Sequence, residues 1–225
     1  MLFHSNQPGR YKAVFFDLDG TLVDTAPDLA YSLNLCLERH GRATLAFERI
    51  RPQVSHGTDA LLQTGFQLTP SDPSYADLRA QLLALYQANL SRASRLFEGM
   101  EALLLQLERR AIPWGLITNK PAFLTEPLAA DLGLDRRALC ILSGDSLPQC
   151  KPHPEPIRHA CRLAGVRPAE AIYVGDAERD IQAARAAGSL SLAAAWGYLG
   201  ENDRIQDWQA DAIIQTPLEI LHWLD

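Results

Sequence analysis

Asp17 and Asp19 stand two positions apart, directly behind the apolar run Ala13-Val14-Phe15-Phe16, in the string Asp17-Leu18-Asp19-Gly20-Thr21-Leu22-Val23-Asp24-Thr25. Side chains alternate along a strand, so residues two apart point the same way and both carboxylates face one pocket where the chain leaves the sheet. Adjacent carboxylates repel each other. A fold keeps such a pair where a cation, a shared proton or a catalytic task offsets the repulsion. Taken alone, Asp-x-Asp-Gly is more simply an acidic turn, since Gly20 and the Asp-Gly pair suit one. Three more polar groups follow downstream. Thr118-Asn119-Lys120 follows Trp114–Ile117, Gly175-Asp176 follows Ala171–Val174 with Asp180 four residues on, and Lys151-Pro152 precedes a helix opening near Pro154.

Those groups need elements to bring them together. Pro27–Arg39 reads as a helix, with Leu29, Leu33 and Leu37 at helical spacing. Glu48–Val54 and Asp59–Gly65 read as short helices on either side of a polar break, Ser55-His56-Gly57-Thr58. Tyr75–Leu90 is amphipathic, with Leu78, Leu82, Leu85, Tyr86 and Leu90 on one stripe. Residues 28–95 therefore read as all-helical. From Gly99 onward helices (Met100–Arg110, Phe123–Leu132, Pro154–Ala164, Arg179–Ala187) alternate with strands (Trp114–Ile117, Leu139–Leu142, Ala171–Val174, Leu190–Ala194). Ala212–Ile214 and Leu218–Leu224 close the chain. Alternation of this kind predicts an α/β fold, a doubly wound parallel sheet with right-handed crossovers, interrupted after its first strand by a helical insert. The expected division is a core of residues 1–27 and 96–225 and an insert of residues 28–95. In such a sheet, ligands bind beyond the carboxyl ends of the strands, where the polar groups fall.

Composition narrows the function classes. The chain has 225 residues, 47% hydrophobic and 21% charged, with a net charge of -6 and a pI near 5.5, ordinary for a globular protein. Its 21 Lys and Arg are scattered and form no basic stripe, which argues against nucleic-acid binding; an anionic substrate would need a local cationic site. Cys36, Cys140, Cys150 and Cys161 form no C-x-x-C pair and have no His at metal-ligand spacing, so a zinc site is not expected and reduced thiols are. Met1–Lys12 lacks the pattern of a signal peptide, and no apolar run approaches the ~20 residues that span a bilayer. The expectation is a cytoplasmic protein with no membrane partner.

In order, Asp17–Thr25, Thr118, Lys151 and Gly175-Asp176 through Asp180 resemble the motifs of the haloacid dehalogenase superfamily, and the resemblance runs from Lys12 to the end of the chain. It implies a Rossmann-like core with an inserted all-helical cap, Mg2+ as cofactor and a small-molecule phosphate monoester as substrate. A phosphate monoester repels an anionic nucleophile, so attack by Asp17 needs positive charge around the phosphoryl group, which Mg2+ and Lys151 would supply. Mg2+ takes oxygen ligands, typically one or two carboxylates plus waters, and Asp17 and Asp176 suit it. The resemblance adds the backbone carbonyl of Asp19 as a metal ligand and Asp180 as a support of the metal. Asp180 is also explained as a charge at a helix start, as are Asp24 and Asp28.

Asp19 is placed to act as general acid and base, protonating the leaving alkoxide and then activating water. The Thr118 hydroxyl and the Asn119 peptide N–H can bond phosphoryl oxygens, although the pair would equally serve as a helix cap. Lys151 sits in the stiff turn Cys-Lys-Pro-His-Pro. In the cap, Arg51 and His56 are candidates for substrate contact, and a lone His in a polar loop is as readily a surface residue.

Dehalogenases of the superfamily lack the second Asp, because a halide needs no protonation, so Asp19 favours phosphoryl transfer. Phosphomutases share these core residues, and a non-enzymatic phospho-binding module is expected to lack either the cap or one of the motifs. The string Phe16–Asp28 looks like the phosphoglycolate phosphatase branch. Val54-Ser55-His56-Gly57, Trp114-Gly115, Thr125-Glu126-Pro127, Ser143-Gly144-Asp145, Trp208–Asp211 and His222-Trp223-Leu224 look closer to a sister group acting on N-acetylmuramic acid 6-phosphate in peptidoglycan recycling.

Overall fold

A computed structural model describes residues 10–224; the N-terminal residues read for a leader lie mostly outside them. Six strands form one parallel sheet: β1 (Ala13–Phe16), β4 (Trp114–Ile117), β5 (Ile141–Leu142), β6 (Ala171–Gly175), β7 (Leu190–Ala194) and β8 (Ala212–Ile214). Their spatial order is β5-β4-β1-β6-β7-β8, with Phe16 opposite Leu116 on one side and Val174 on the other. The central strand is thus the one that delivers Asp17.

Every residue of β1 is buried, because the sheet is covered on both faces. Val14 and Phe16 join Trp114, Leu116, Ile172 and Val174 beneath α5 (Met100–Arg109) and α6 (Ala122–Asp131). Ala13 and Phe15, pointing the other way, pack with Tyr173 under α7 (Glu155–Ala164) and α8 (Glu178–Ala187). A strand buried on both faces reads as a continuous apolar run, and this one does.

Between β1 and the rest of the sheet lie α1 (Ala26–Arg39), α2 (Phe47–Ile50), a 3-10 segment (Arg51–His56), α3 (Gly57–Phe66) and α4 (Tyr75–Gln87). Leu33, Leu37, Ile50, Leu61, Leu62, Phe66, Leu78, Leu82 and Leu85 form their own apolar cluster, which Tyr198 of the sheet region joins.

Three features depart from the sequence reading. The chain leaves and rejoins the sheet region through a two-stranded antiparallel ribbon, β2 (Val23–Asp24) and β3 (Arg95–Leu96); two-residue strands carry no periodicity to detect. The supposed polar break is structured: Ser55 and His56 end the 3-10 segment, and Gly57 and Thr58 open α3. The strand expected over Leu139–Leu142 contracts to Ile141–Leu142 at the sheet edge.

Candidate active site

The sheet ends as the topology requires, with the polar residues gathered at the carboxyl ends of β1, β4 and β6. The Asp17 N–H donates to the Val174 carbonyl at 2.9 Å, which fixes the first aspartate against the strand that leads to Asp176. Carboxylate oxygens of Asp17, Asp176 and Asp180 lie within 4.8 Å of one another, all three residues buried. Lys151 reaches this cluster with its side chain fully enclosed. Its ammonium lies 2.8 Å from Asp17 Oδ1 and 2.7 Å from Asp180 Oδ1, and it donates to the Tyr173 hydroxyl at 2.8 Å. Tyr173 passes the chain on to the Ile117 carbonyl at 2.9 Å. A buried lysine is tolerable only when its charge and its protons are matched in this way.

The backbone carrying Lys151 is held by Asn119. The Asn119 side-chain amide donates to the Lys151 carbonyl at 2.8 Å and accepts from the Lys151 N–H at 3.1 Å. Asn119 therefore ties the end of β4 to the lysine turn, while Thr118 accepts the Lys120 N–H at 3.1 Å. Asp180 Oδ2 reaches back to the Ala177 N–H at 3.1 Å, so it closes the first turn of α8 as well as meeting Lys151.

Asp176 accepts from Ser55 Oγ at 2.6 Å, the Tyr198 N–H at 2.9 Å and Thr21 Oγ1 at 3.3 Å. Its surroundings leave negative charge over. Burial, then the charges of Asp17 and Asp180, push Asp176 up to about 7. Asp180 is likewise raised, first by burial, with Lys151 and Arg179 pulling the other way. Three carboxylates thus face the cations Lys151 and Arg179, a donor set with room for a hard divalent cation.

Backbone presses close around the cluster. A Cβ on Gly20, which has φ +84, would stand 2.1 Å from Asp176 Oδ2. Gly175 and Gly197 leave room in the same way, for Asp180 and Asp176.

Asp19 lies at the cavity edge and has a lysine of its own. Lys120 Nζ is 2.7 and 2.8 Å from the two Asp19 oxygens, and Thr25 Oγ1 donates to Asp19 at 2.5 Å. Lys120 is 6% exposed and Asp19 17%, against 0% and 4% for Lys151 and Asp17. Burial lowers the Lys120 pKa, but Asp19 and then Tyr86 outweigh it and hold it above the ordinary lysine value.

A cavity of about 280 Å3 separates these groups from the helical insert. Asp17, Asp19, Thr118, Asn119 and Lys120 line its floor. Leu29, Val54, Leu61, Leu82 and Tyr86 line the opposite wall, where His56 and Arg79 supply charge or polarity. His56 borders the cavity with its Nε2 3.4 Å from Asp203. Arg51 is not among the lining residues: its guanidinium lies over the Tyr198 ring, 4.9 Å from the centroid, and donates to the Trp196 carbonyl at 3.2 Å. Arg179 also borders the cavity and donates to the Ser55 carbonyl at 2.5 Å.

Tyr173, Arg179 and Tyr198 were given no role by sequence, and Lys120 and Ser55 were named only inside longer strings. Of these, Lys120 left a usable signal: it stands two residues after Thr118, as Asp19 does after Asp17, just beyond the end of the strand paired with β1. Tyr173 and Tyr198 look like core residues in sequence.

A six-stranded parallel sheet sandwiched by helices, with its polar site at the carboxyl ends and a helical insert above it, defines a Rossmann-like doubly wound α/β fold. The haloacid dehalogenase-like hydrolase profile matches residues 11–188, and the chain belongs to that family. A phosphoglycolate phosphatase of Xanthomonas campestris is 41% identical over 210 residues, covering 93% of this chain and 94% of its own. An N-acetylmuramic acid 6-phosphate phosphatase of Pseudomonas putida is 37% identical over 216 residues, covering 96% and 97%. Among solved structures, one described as a predicted phosphoglycolate phosphatase from Haemophilus somnus superposes with a TM-score of 0.84 at 30% identity, over 96% of this chain and 99% of that one. The protein is a phosphoric monoester hydrolase.

Proposed function

We propose that the chain is a Mg2+-dependent phosphatase that cleaves a small organic phosphate through an aspartyl-phosphate on Asp17. The observation that carries this reading is the division of labour between two aspartates two residues apart, one neutralised by buried Lys151 and the other by Lys120 at the cavity edge. Asp17, Asp176 and the Asp19 carbonyl would hold Mg2+ with Asp180 in support, and the metal would neutralise charge on the phosphoryl oxygens. Lys151 supplies positive charge at the attacking oxygen, while the Thr118 hydroxyl and the Asn119 N–H face the phosphoryl oxygens. As Asp17 forms its bond to phosphorus, the bond to the leaving oxygen breaks and Asp19 gives that oxygen a proton. Asp19 then takes a proton from the water that cleaves the acyl phosphate.

Residues 28–95 act as the cap over the cavity, and the protein works in the cytoplasm. The preferred substrate in this reading is N-acetylmuramic acid 6-phosphate. Val54-Ser55-His56-Gly57 in the cap and the Pseudomonas relative support it, and the leucine-rich cap wall suits an organic portion with apolar surface. The Xanthomonas relative favours the second reading, 2-phosphoglycolate.

Phosphate release with Mg2+ from the two compounds decides between them, with Asp17→Asn as the blank. A higher kcat/KM for the sugar phosphate is expected. A higher value for 2-phosphoglycolate reverses the assignment, and release from neither compound ends the phosphatase mechanism proposed for Asp17.

A further inference from the structure

One residue of the helical insert reaches into the acidic cluster. Ser55, in the 3-10 segment Arg51–His56, is buried, and its Oγ donates to Asp176 Oδ2 at 2.6 Å. Its carbonyl accepts from Arg179 Nη2 at 2.5 Å, so Ser55 is held at both ends of the turn that runs from Asp176 into α8. The Tyr198 N–H is a second donor to Oδ2, at 2.9 Å, and Gly20 and Gly197 close around the same oxygen. Protein groups thus take up Oδ2. Oδ1, with the Thr21 hydroxyl 3.3 Å away, is the oxygen left for a cation. Val54, the residue before Ser55, is buried in the apolar cluster of the insert, so the position of Ser55 follows that of the insert. Arg51 and His56 dock the same segment on the chain beyond β7, at the Trp196 carbonyl and at Asp203.

We propose that Ser55 is a positioning residue for Asp176, and that through it Mg2+ binding and docking of the 3-10 segment strengthen each other. A hydroxyl bonded to one oxygen of a carboxylate fixes the direction in which the other oxygen points, and outer partners of this kind are worth about ten- to a hundredfold in metal affinity. The bond exists only while the segment lies against the sheet region, so docking raises the affinity of Asp176 and its neighbours for Mg2+. By linkage, a bound Mg2+ favours docking by the same factor. The cavity wall around Val54–Thr58 is therefore steadier in the metal-loaded protein than in the metal-free one. The inference deepens the proposed Mg2+ reading and rests on it.

Two measurements on the full chain read the two directions of the coupling, with wild type set against Ser55→Ala. Calorimetric titration with Mg2+ gives the first: Ser55→Ala is expected to raise the Kd about tenfold. Amide hydrogen exchange with and without saturating Mg2+ gives the second. In wild type, Mg2+ is expected to slow exchange over residues 51–57 about tenfold, by more than over β7, and in Ser55→Ala to slow it no more than over β7. An unchanged or lower Kd in the variant, or equal protection of the segment in both proteins, overturns the coupling and leaves the metal site standing. Should Ser55→Ala fail to fold, wild type decides alone: Mg2+ that binds without slowing exchange over 51–57 beyond β7 overturns the proposal. A wild type that takes up no Mg2+ is a separate result, which brings down the metal assignment of the proposed function and the coupling with it.

Discussion

The floor and the roof of the cavity are built on opposite terms. On the floor, Asp17, Asp176 and Asp180 are each matched by a lysine, a hydroxyl or a peptide N–H within 3.3 Å. On the cap side the wall is mostly apolar, made by Leu29, Val54, Leu61, Leu82 and the ring of Tyr86. The floor is preorganised and needs no substrate to complete it, as electrostatic catalysis requires. The roof offers mainly apolar surface, which in the proposed reading meets the organic portion of the substrate, where one ligand can be preferred over its competitors. In the proposed reading, chemistry and selectivity reside in different layers of the molecule.

The sharpest way to break this contrast is at the floor. Asp17→Asn should lower kcat by about 10^4-fold or more on every phosphate ester tried, because no substrate contact can replace the proposed nucleophile. Lys151→Met comes next, with a loss of about 10^2- to 10^3-fold, again without regard to the leaving group. It also leaves Asp17 and Asp180 buried without their shared cation, so its Tm should fall as well, measured by thermal unfolding. A loss that differed strongly between substrates would move Lys151 from the floor's role to the roof's.

Ser55→Ala tests the seam between the layers, since Ser55 lies in the helical insert yet donates to Asp176. Removing that bond should weaken Mg2+ binding about tenfold, read by titrating activity or heat against the metal. His56→Ala should do least, a few-fold change in KM confined to the preferred substrate; equal effects on p-nitrophenyl phosphate would remove His56 from the selective layer.

A pH series separates the layers without mutation. The folded-state pKa of Asp176, about 7, lies above the ordinary value of 3.8. Between those values the folded protein holds more protons than the unfolded chain, so metal-free stability should decline as pH rises from about 4 through 7. The proposed Mg2+ would bind the ionised form, and its stabilising shift in Tm should therefore be larger at pH 8 than at pH 5.5.

Much of the floor was legible in sequence because strands punctuate it. Ala13–Phe16, Trp114–Ile117 and Leu190–Ala194 form the strands their apolar runs predict, and the polar residues behind the first two converge because neighbouring parallel strands end together. Lys151 is different: it does not directly follow a strand, and its backbone is held by a reciprocal pair of hydrogen bonds with Asn119. The roof was hardly legible. Tyr86 reads as one more apolar position on the α4 stripe, and nothing in a stripe tells a ring that meets a lysine at a cavity wall from a ring in a core. Arg51 shows the converse, a cation in the expected segment whose charge is taken up by the Tyr198 ring. Asp24 and Asp28, read as helix-start charges, prove to be fastenings. Asp24 accepts from the Tyr198 hydroxyl at 2.8 Å, and Asp28 accepts the Ser94 N–H at 2.8 Å.

Those fastenings sit where the chain departs from the sheet and returns to it. Val23 pairs with Leu96 and Asp24 with Arg95, so the two ends of the helical insert lie one strand spacing apart, about 5 Å. The Tyr198 hydroxyl meets the Thr25 and Ala26 N–H groups just beyond, at 2.6 and 2.9 Å. A foreign segment grafted between Asp24 and Arg95 would need two ends that close together and substitutes for the Thr25 and Ser55 hydroxyls that meet Asp19 and Asp176. The ribbon makes the roof an exchangeable cassette, through which one hydrolytic chassis could be re-aimed at a new ester by transplantation instead of residue-by-residue redesign.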